Sequence, residues 1–110
     1  MNNTFYVSIP VREAVRIVDS TIVDGSITGE RIDSYMAAGQ NGSCAVLVYE
    51  KHFWRAGNRL TLTVTIDDLS GRTRVHYVGG GGGEGLFRFD WGASESFERS
   101  VERALEQYHI

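Results

Sequence analysis

The stretch Arg59–Asp67, RLTLTVTID, alternates without a break. Leu60, Leu62, Val64 and Ile66 fall on one side of an extended chain, and Thr61, Thr63 and Thr65 on the other. Period two with β-branched side chains predicts a strand that is apolar on one face and polar on the other. Such a strand needs antiparallel neighbours and a cover for its apolar side, and the flanking sequence supplies both.

On the N-terminal side, Gly57-Asn58 predicts a turn after a long strand over Cys44–Arg55. Asn41-Gly42 predicts a hairpin turn, because both residue types tolerate positive φ. Ahead of it Ile27–Ala38 predicts a strand that Gly29 interrupts. On the C-terminal side, Asp68-Leu69-Ser70-Gly71 turns the chain into Arg72–Val78. Thr4–Ile9 supplies a first strand and Leu86–Asp90 a short additional one. Helical spacing appears twice. Val11, Ala14, Val15, Val18 and Ile22 form one stripe, with Ser8 as its cap, Pro10 in its first turn and Asp24-Gly25 at its end. Phe97, Val101, Ala104, Leu105 and Tyr108 form the other, capped by Ser94. The chain thus reads as one α+β domain over residues 1–110. It has an antiparallel sheet of four to six strands with two helices on one face, in the order β-α-β-β-β-β-α. That order is similar to those of TATA-binding-protein-like and helix-grip domains, which implies either a DNA saddle or an apolar-ligand cup.

The turns also predict registers. Gly57-Asn58 would pair His52 with Thr63, and the loop after Asp67 would pair Val64 with Val75 and Thr63 with His76. Asn41-Gly42 would pair Met36 with Leu47 and Asp33 with Glu50. All agree on an apolar face built from Met36, Leu47, Tyr49, Phe53, Leu60, Leu62, Val64, Ile66, Val75 and Tyr77, with Lys51 its misfit. The opposite face carries Arg31, Asp33, Tyr35, Glu50, His52, Trp54, the threonines, Arg74 and His76. Asp33, Glu50, Thr65 and Arg74 would form one row. His52, Thr63 and His76 would form the next, with the two imidazoles about 10 Å apart.

Composition narrows the function. The 110 residues carry a net charge of −3, with ten arginines and one lysine. A phosphate-neutralising basic excess is missing, so nucleic acid is not an expected partner and the saddle use is disfavoured. No run approaches the roughly 20 apolar residues of a membrane span, so no membrane partner is expected. The lone Cys44 cannot close a disulfide within the chain, and MNNTFYVSIP does not resemble a secretion signal. The expected compartment is the cytoplasm.

No motif in the sequence assigns an activity. Asp33 and Glu50, if adjacent, could split their pKa values and serve as acid and base, with His52, Arg74 and His76 beside them. These five are the candidate catalytic residues of an enzymatic alternative. A metal site is not expected: Cys44 and His52 lie about 27 Å apart along a strand. The run Gly79–Gly83 fits a dinucleotide fingerprint only trivially, since strand-like LFRFD follows where a helix should begin, and no cofactor is expected. Its bare backbone reads as a pliable connection, or as a flap over a ligand through Gly81 and Gly82. The strand Cys44–Arg55 is apolar on both sides: Val46, Val48 and Trp54 share the polar face. A strand of that kind expects cover on both sides. A second copy of the chain, a small apolar ligand or the segment ending at Trp91 would supply it, and a homo-oligomer is the expected form.

Asn58-Arg59, Thr73-Arg74-Val75, the glycine run and FRFDWGA lie within Arg55–Ala93. That stretch resembles a family of small uncharacterised proteins from Firmicutes-type bacteria. The resemblance implies a glycine-rich segment joined to a fixed F-x-F-D-W-G element. It implies no activity. The reading that remains is a non-enzymatic domain that binds a small molecule or a protein partner.

Overall fold

The computed structural model describes residues 3–25, 29–53, 58–81 and 91–110. The elements run β1 (Thr4–Val7), α1 (Val11–Asp24), β2 (Gly29–Gly39), β3 (Gly42–Phe53), β4 (Asn58–Asp67), β5 (Thr73–Gly81) and α2 (Trp91–Ala104), with a closing 3-10 turn at Glu106–Tyr108. The α+β class and the element order are those expected. The five strands form one antiparallel sheet in the order β1-β5-β4-β3-β2. The expected strand at Leu86–Asp90 lies outside the described residues.

Both helices lie on the same side of the sheet. Val11, Ala14, Val18 and Ile22 of α1 and Phe97, Val101 and Leu105 at the second helix join Leu47, Tyr49, Leu60, Leu62, Val64, Ile66, Val75 and Tyr77 in one buried cluster. The apolar face is therefore the one that alternation assigned, except at Met36, which is 46% exposed, and the Phe53 side chain lies outside those described. Met36 sits on β2, beyond the cover of the helices.

Helix boundaries depart from the cap assignments. Pro10 occupies the N-cap of α1, with extended φ and ψ of −64° and 159°, and no side chain caps it. Ser8 instead donates its backbone N–H to the Tyr108 carbonyl at 2.8 Å. α2 begins at Trp91, which puts Ser94 inside the helix. Gly25 closes α1 as expected, donating its N–H to the Thr21 carbonyl at 3.0 Å. The C-terminal tail is not frayed. His109 bridges Val7, its ring lies 4.5 Å from that of Phe5, and the Ile110 N–H reaches the Tyr6 carbonyl at 3.1 Å. This tail covers the free edge of β1.

The registers slip by whole repeats of two in both inner hairpins. Val48 faces Thr63 and His52 faces Arg59, while Val64 faces Tyr77 and Thr65 faces His76. Slips of even length leave every side chain on its expected face. The first hairpin turns at Gln40-Asn41 rather than at Asn41-Gly42, with Gly39 opposite Gly42. Gly42 takes φ of 137°, and a Cβ there would lie 2.5 Å from Asp68 Oδ1. Asp68 fixes the position, since its carboxylate accepts the Ser43 N–H at 2.7 Å and its own N–H donates to the Ser43 carbonyl at 3.2 Å.

Two corrections change faces or elements. A bulge between Arg31 and Asp33 shifts β2, so Arg31 stands opposite Tyr49 on the helix-facing side and Glu30, not Asp33, stands opposite Glu50. Gly79, Gly80 and Gly81 belong to β5, paired with Leu62, Thr61 and Leu60, and are not a loose connection. Gly79 is needed for close approach. Its N–H donates to Glu98 Oε2 of α2 at 2.8 Å, and a Cβ would stand 2.7 Å from Glu98 Cγ. Gly79→Ala should destabilise the chain by about 1–2 kcal/mol. In a Glu98→Ala background the loss should be much smaller, as read by urea melts of the four proteins. Equal losses in both backgrounds would contradict the contact.

Candidate functional site

Cross-strand partners order the helix-free face into rows. The first holds Tyr6, Arg74, Asp67, Cys44 and Ala37, and the second Thr4, His76, Thr65, Val46 and Tyr35. The third holds Val78, Thr63, Val48 and Asp33, and the fourth Gly80, Thr61, Glu50 and Glu30. His52 and Arg59 follow. The five candidate catalytic residues are thus spread over the whole face. Arg74 and Glu50 lie three rows apart, as do His76 and His52, which is about 20 Å at strand rise. Asp33 and Glu50 are only diagonal neighbours, because the turn at Gln40-Asn41 sets Asp33 opposite Val48.

Four of these five side chains, Arg74, His76, Glu50 and Asp33, have a local use. Asp67 is buried and takes a two-pronged contact from Arg74, with Nε at 3.1 Å and Nη2 at 2.9 Å, and it also accepts the Leu69 N–H at 3.1 Å. That hydrogen bond, then the carboxylate charge, raises the pKa of the Arg74 guanidinium. His76 Nδ1 lies 2.8 Å from Thr4 Oγ1. Glu50 approaches Arg59 at 3.5 Å, where most of the Arg59 side chain is in solvent and the pair contributes little. Asp33 accepts the N–H of Ser34 at 2.9 Å. Among the described residues no three His, Cys, Asp or Glu side chains are grouped to hold a metal ion.

Of the residues assigned to a ligand or interface, Val48 is half-buried in the middle of this face. Gly81 ends β5 opposite Leu60, and Trp91 opens α2. Trp54 and Gly82 lie outside the described residues. Tyr35, at 64% exposure, stands opposite Val46, and Val78, at 49%, lies across Thr63 from Val48. The result is an apolar stripe between the threonines, left uncovered by either helix.

Polar groups under the helices were hidden from alternation. Tyr49 donates its hydroxyl to Asp19 Oδ1 at 3.0 Å, and Arg31 Nη1 pairs with the other oxygen of that carboxylate at 3.0 Å. Tyr77 donates to Glu102 Oε1 at 2.7 Å. A phenol on a core face requires an acceptor, and that requirement is the sequence signal for Asp19 and Glu102. Burial first, then the hydrogen-bonded carboxylate, pushes both phenols well above their ordinary range.

The geometry defines a small α+β domain whose sheet is closed by helices on one side and, among the described residues, open on the other. The chain belongs to the DUF6054 family, described as a family of unknown function, whose profile matches residues 2–109. No curated protein and no solved structure matches the chain. No helix among the described residues is long and apolar enough to cross a membrane.

The raised phenols set a pH dependence. Above the ordinary tyrosine value of about 10 the unfolded chain releases phenolic protons that the folded chain retains, so stability falls as pH rises. Tyr49→Phe should flatten this alkaline limb in urea melts taken across the range. An unchanged slope would mean that the Tyr49–Asp19 bond does not hold the proton.

Proposed function

We propose that this chain is a non-enzymatic binding domain that works as a homodimer, joined through the open edge of β2. The supporting observation is the state of that strand: every residue of β2 except Gly29 is exposed, and among the described residues no strand lies beyond it. With Gly39 and Gly42 flanking a two-residue turn, the odd-numbered residues of β2 bond to β3. The main-chain groups of Ser34, Met36 and Ala38 therefore point outward.

The strand is protected along only half its length. Glu30, Arg31, the bulge and Asp33 blunt the first half, and the Asp33 carboxylate occupies the Ser34 N–H. Residues 34–39 carry no charge to oppose a second copy. A twofold axis at Met36 would set Met36 opposite its counterpart, Ser34 opposite Ala38, and Tyr35 opposite Ala37. Opposed residues of an antiparallel pair share a face, so both helix layers would lie on one side. The two stripes of Tyr35, Val46, Val48 and Val78 would then form one surface on the other side. An edge of this length supports micromolar rather than nanomolar association.

The single free thiol of Cys44 is the support for a cytoplasmic location. The enzymatic alternative has less support, since its five residues do not converge. Light scattering at about 100 µM, above the expected dissociation constant, should give a particle of two 12.2 kDa chains. Met36→Lys should return it to one chain without lowering the melting temperature of the subunit. A wild-type particle of one chain at that concentration would overturn the proposal.

A further inference from the structure

The helix layer contains a cleft of about 490 Å³, bounded by the last turn of α1, one flank of α2 and the end of β3. Its size falls in the range of small-molecule sites. Thr21, Ile22 and Gly25 form one wall, and Ser96, Phe97, Ser100, Arg103 and Ala104 the other. Lys51, the only lysine of the chain, reaches into it from the sheet.

Lys51 occupies an inward position of β3, two residues beyond the buried Tyr49, where a leucine or valine would ordinarily extend the core. Its Nζ lies 5.8 Å from the Phe97 ring centroid, so the aromatic face holds the ammonium at the cleft. Arg103 faces the cleft from α2, and neither cation forms an ion pair among the described residues. No carboxylate is among the described lining residues. Arg103 also borders a separate depression with Glu102 and Glu106, but no contact within salt-bridge distance joins them. The last turn of α1 holds one acid, Asp24, which accepts the Ser20 hydroxyl at 3.2 Å and is not among the described lining residues. The carbonyl end of the helix adds a partial negative charge. One partial negative charge does not neutralise two full positive ones.

The geometry points to a binding site for a small organic anion, with its charged head between Lys51 and Arg103 and its apolar body against Phe97, Ile22 and Ala104. The hydroxyls of Thr21 and Ser96 stand in the lining as further donors. Ser100 is already turned to the Phe97 carbonyl. This site is separate from the β2 edge and does not depend on dimer formation.

Titration of the full chain by two-dimensional amide NMR tests the assignment, with octanoate, hexyl phosphate, inorganic phosphate and octanol as probes. Octanoate or hexyl phosphate should shift the amides of Ile22, Gly25, Phe97 and Arg103 with a dissociation constant below about 1 mM. The tighter of the two identifies the head as carboxylate or phosphate monoester, and either order supports the site. Arg103→Gln, an exposed change that leaves the core intact, should weaken binding about tenfold, and Lys51→Met more. Octanol binding as tightly as octanoate, or inorganic phosphate as tightly as hexyl phosphate, would overturn the proposal. So would the absence of saturable shifts up to about 10 mM, or affinity unchanged in Arg103→Gln.

Discussion

Two fourteen-residue helices each carry one apolar stripe, and both stripes close on the same side of a single sheet. This one-sided cover is the constraint on which the other features depend. It places Tyr49 and Tyr77 beneath helices, where their hydroxyls must find acceptors, and Asp19 and Glu102 are the acceptors. It brings α2 so close to β5 that Gly79 has no room for a side chain beside Glu98. It also leaves the other side of the sheet to whatever the strands themselves carry. On β4 that is threonine, but on β3 and β5 it includes Val46, Val48 and Val78.

The two edges of the sheet are treated differently. The chain terminus lies along β1, where Tyr108 and Ile110 exchange main-chain hydrogen bonds with Ser8 and Tyr6. At β2 no such cover is present among the described residues, and α1 reaches only its first half, where Asp19 pairs with Arg31. The bulge and its flanking charges guard only the half of β2 nearest Gly29. The same geometry leaves a gap between the helix ends, and Lys51 occupies its floor in place of a core side chain.

Much of this was legible because a period-two pattern survives errors of register. Arg59–Asp67 sets the inner face of β4, and shifting either neighbouring hairpin by two or four residues leaves Leu47, Tyr49, Val75 and Tyr77 on that face. What was not legible depended on single contacts from distant parts of the chain. The grip of Asp68 on Ser43 moves the first turn to Gln40-Asn41. That shift sets Asp33 opposite Val48 and dissolves the row in which it met Glu50, while the bulge beyond it inverts Arg31. Gly79–Gly81 reads as a breaker by composition, and becomes strand because β4 and Glu98 satisfy its backbone. The candidate acid/base residues were correctly placed on one face apart from their spacing, and spacing is what catalysis would have required.

Amide hydrogen exchange along β2, at low and at high protein concentration, bears most directly on the claim that one-sided cover leaves this edge open for a second copy. The amides of Tyr35 and Ala37 bond inward to β3 and should be protected at both concentrations. Those of Met36 and Ala38 point outward, and should exchange freely in dilute protein and slow markedly when it is concentrated. Free exchange of Met36 and Ala38 at both concentrations would contradict the account.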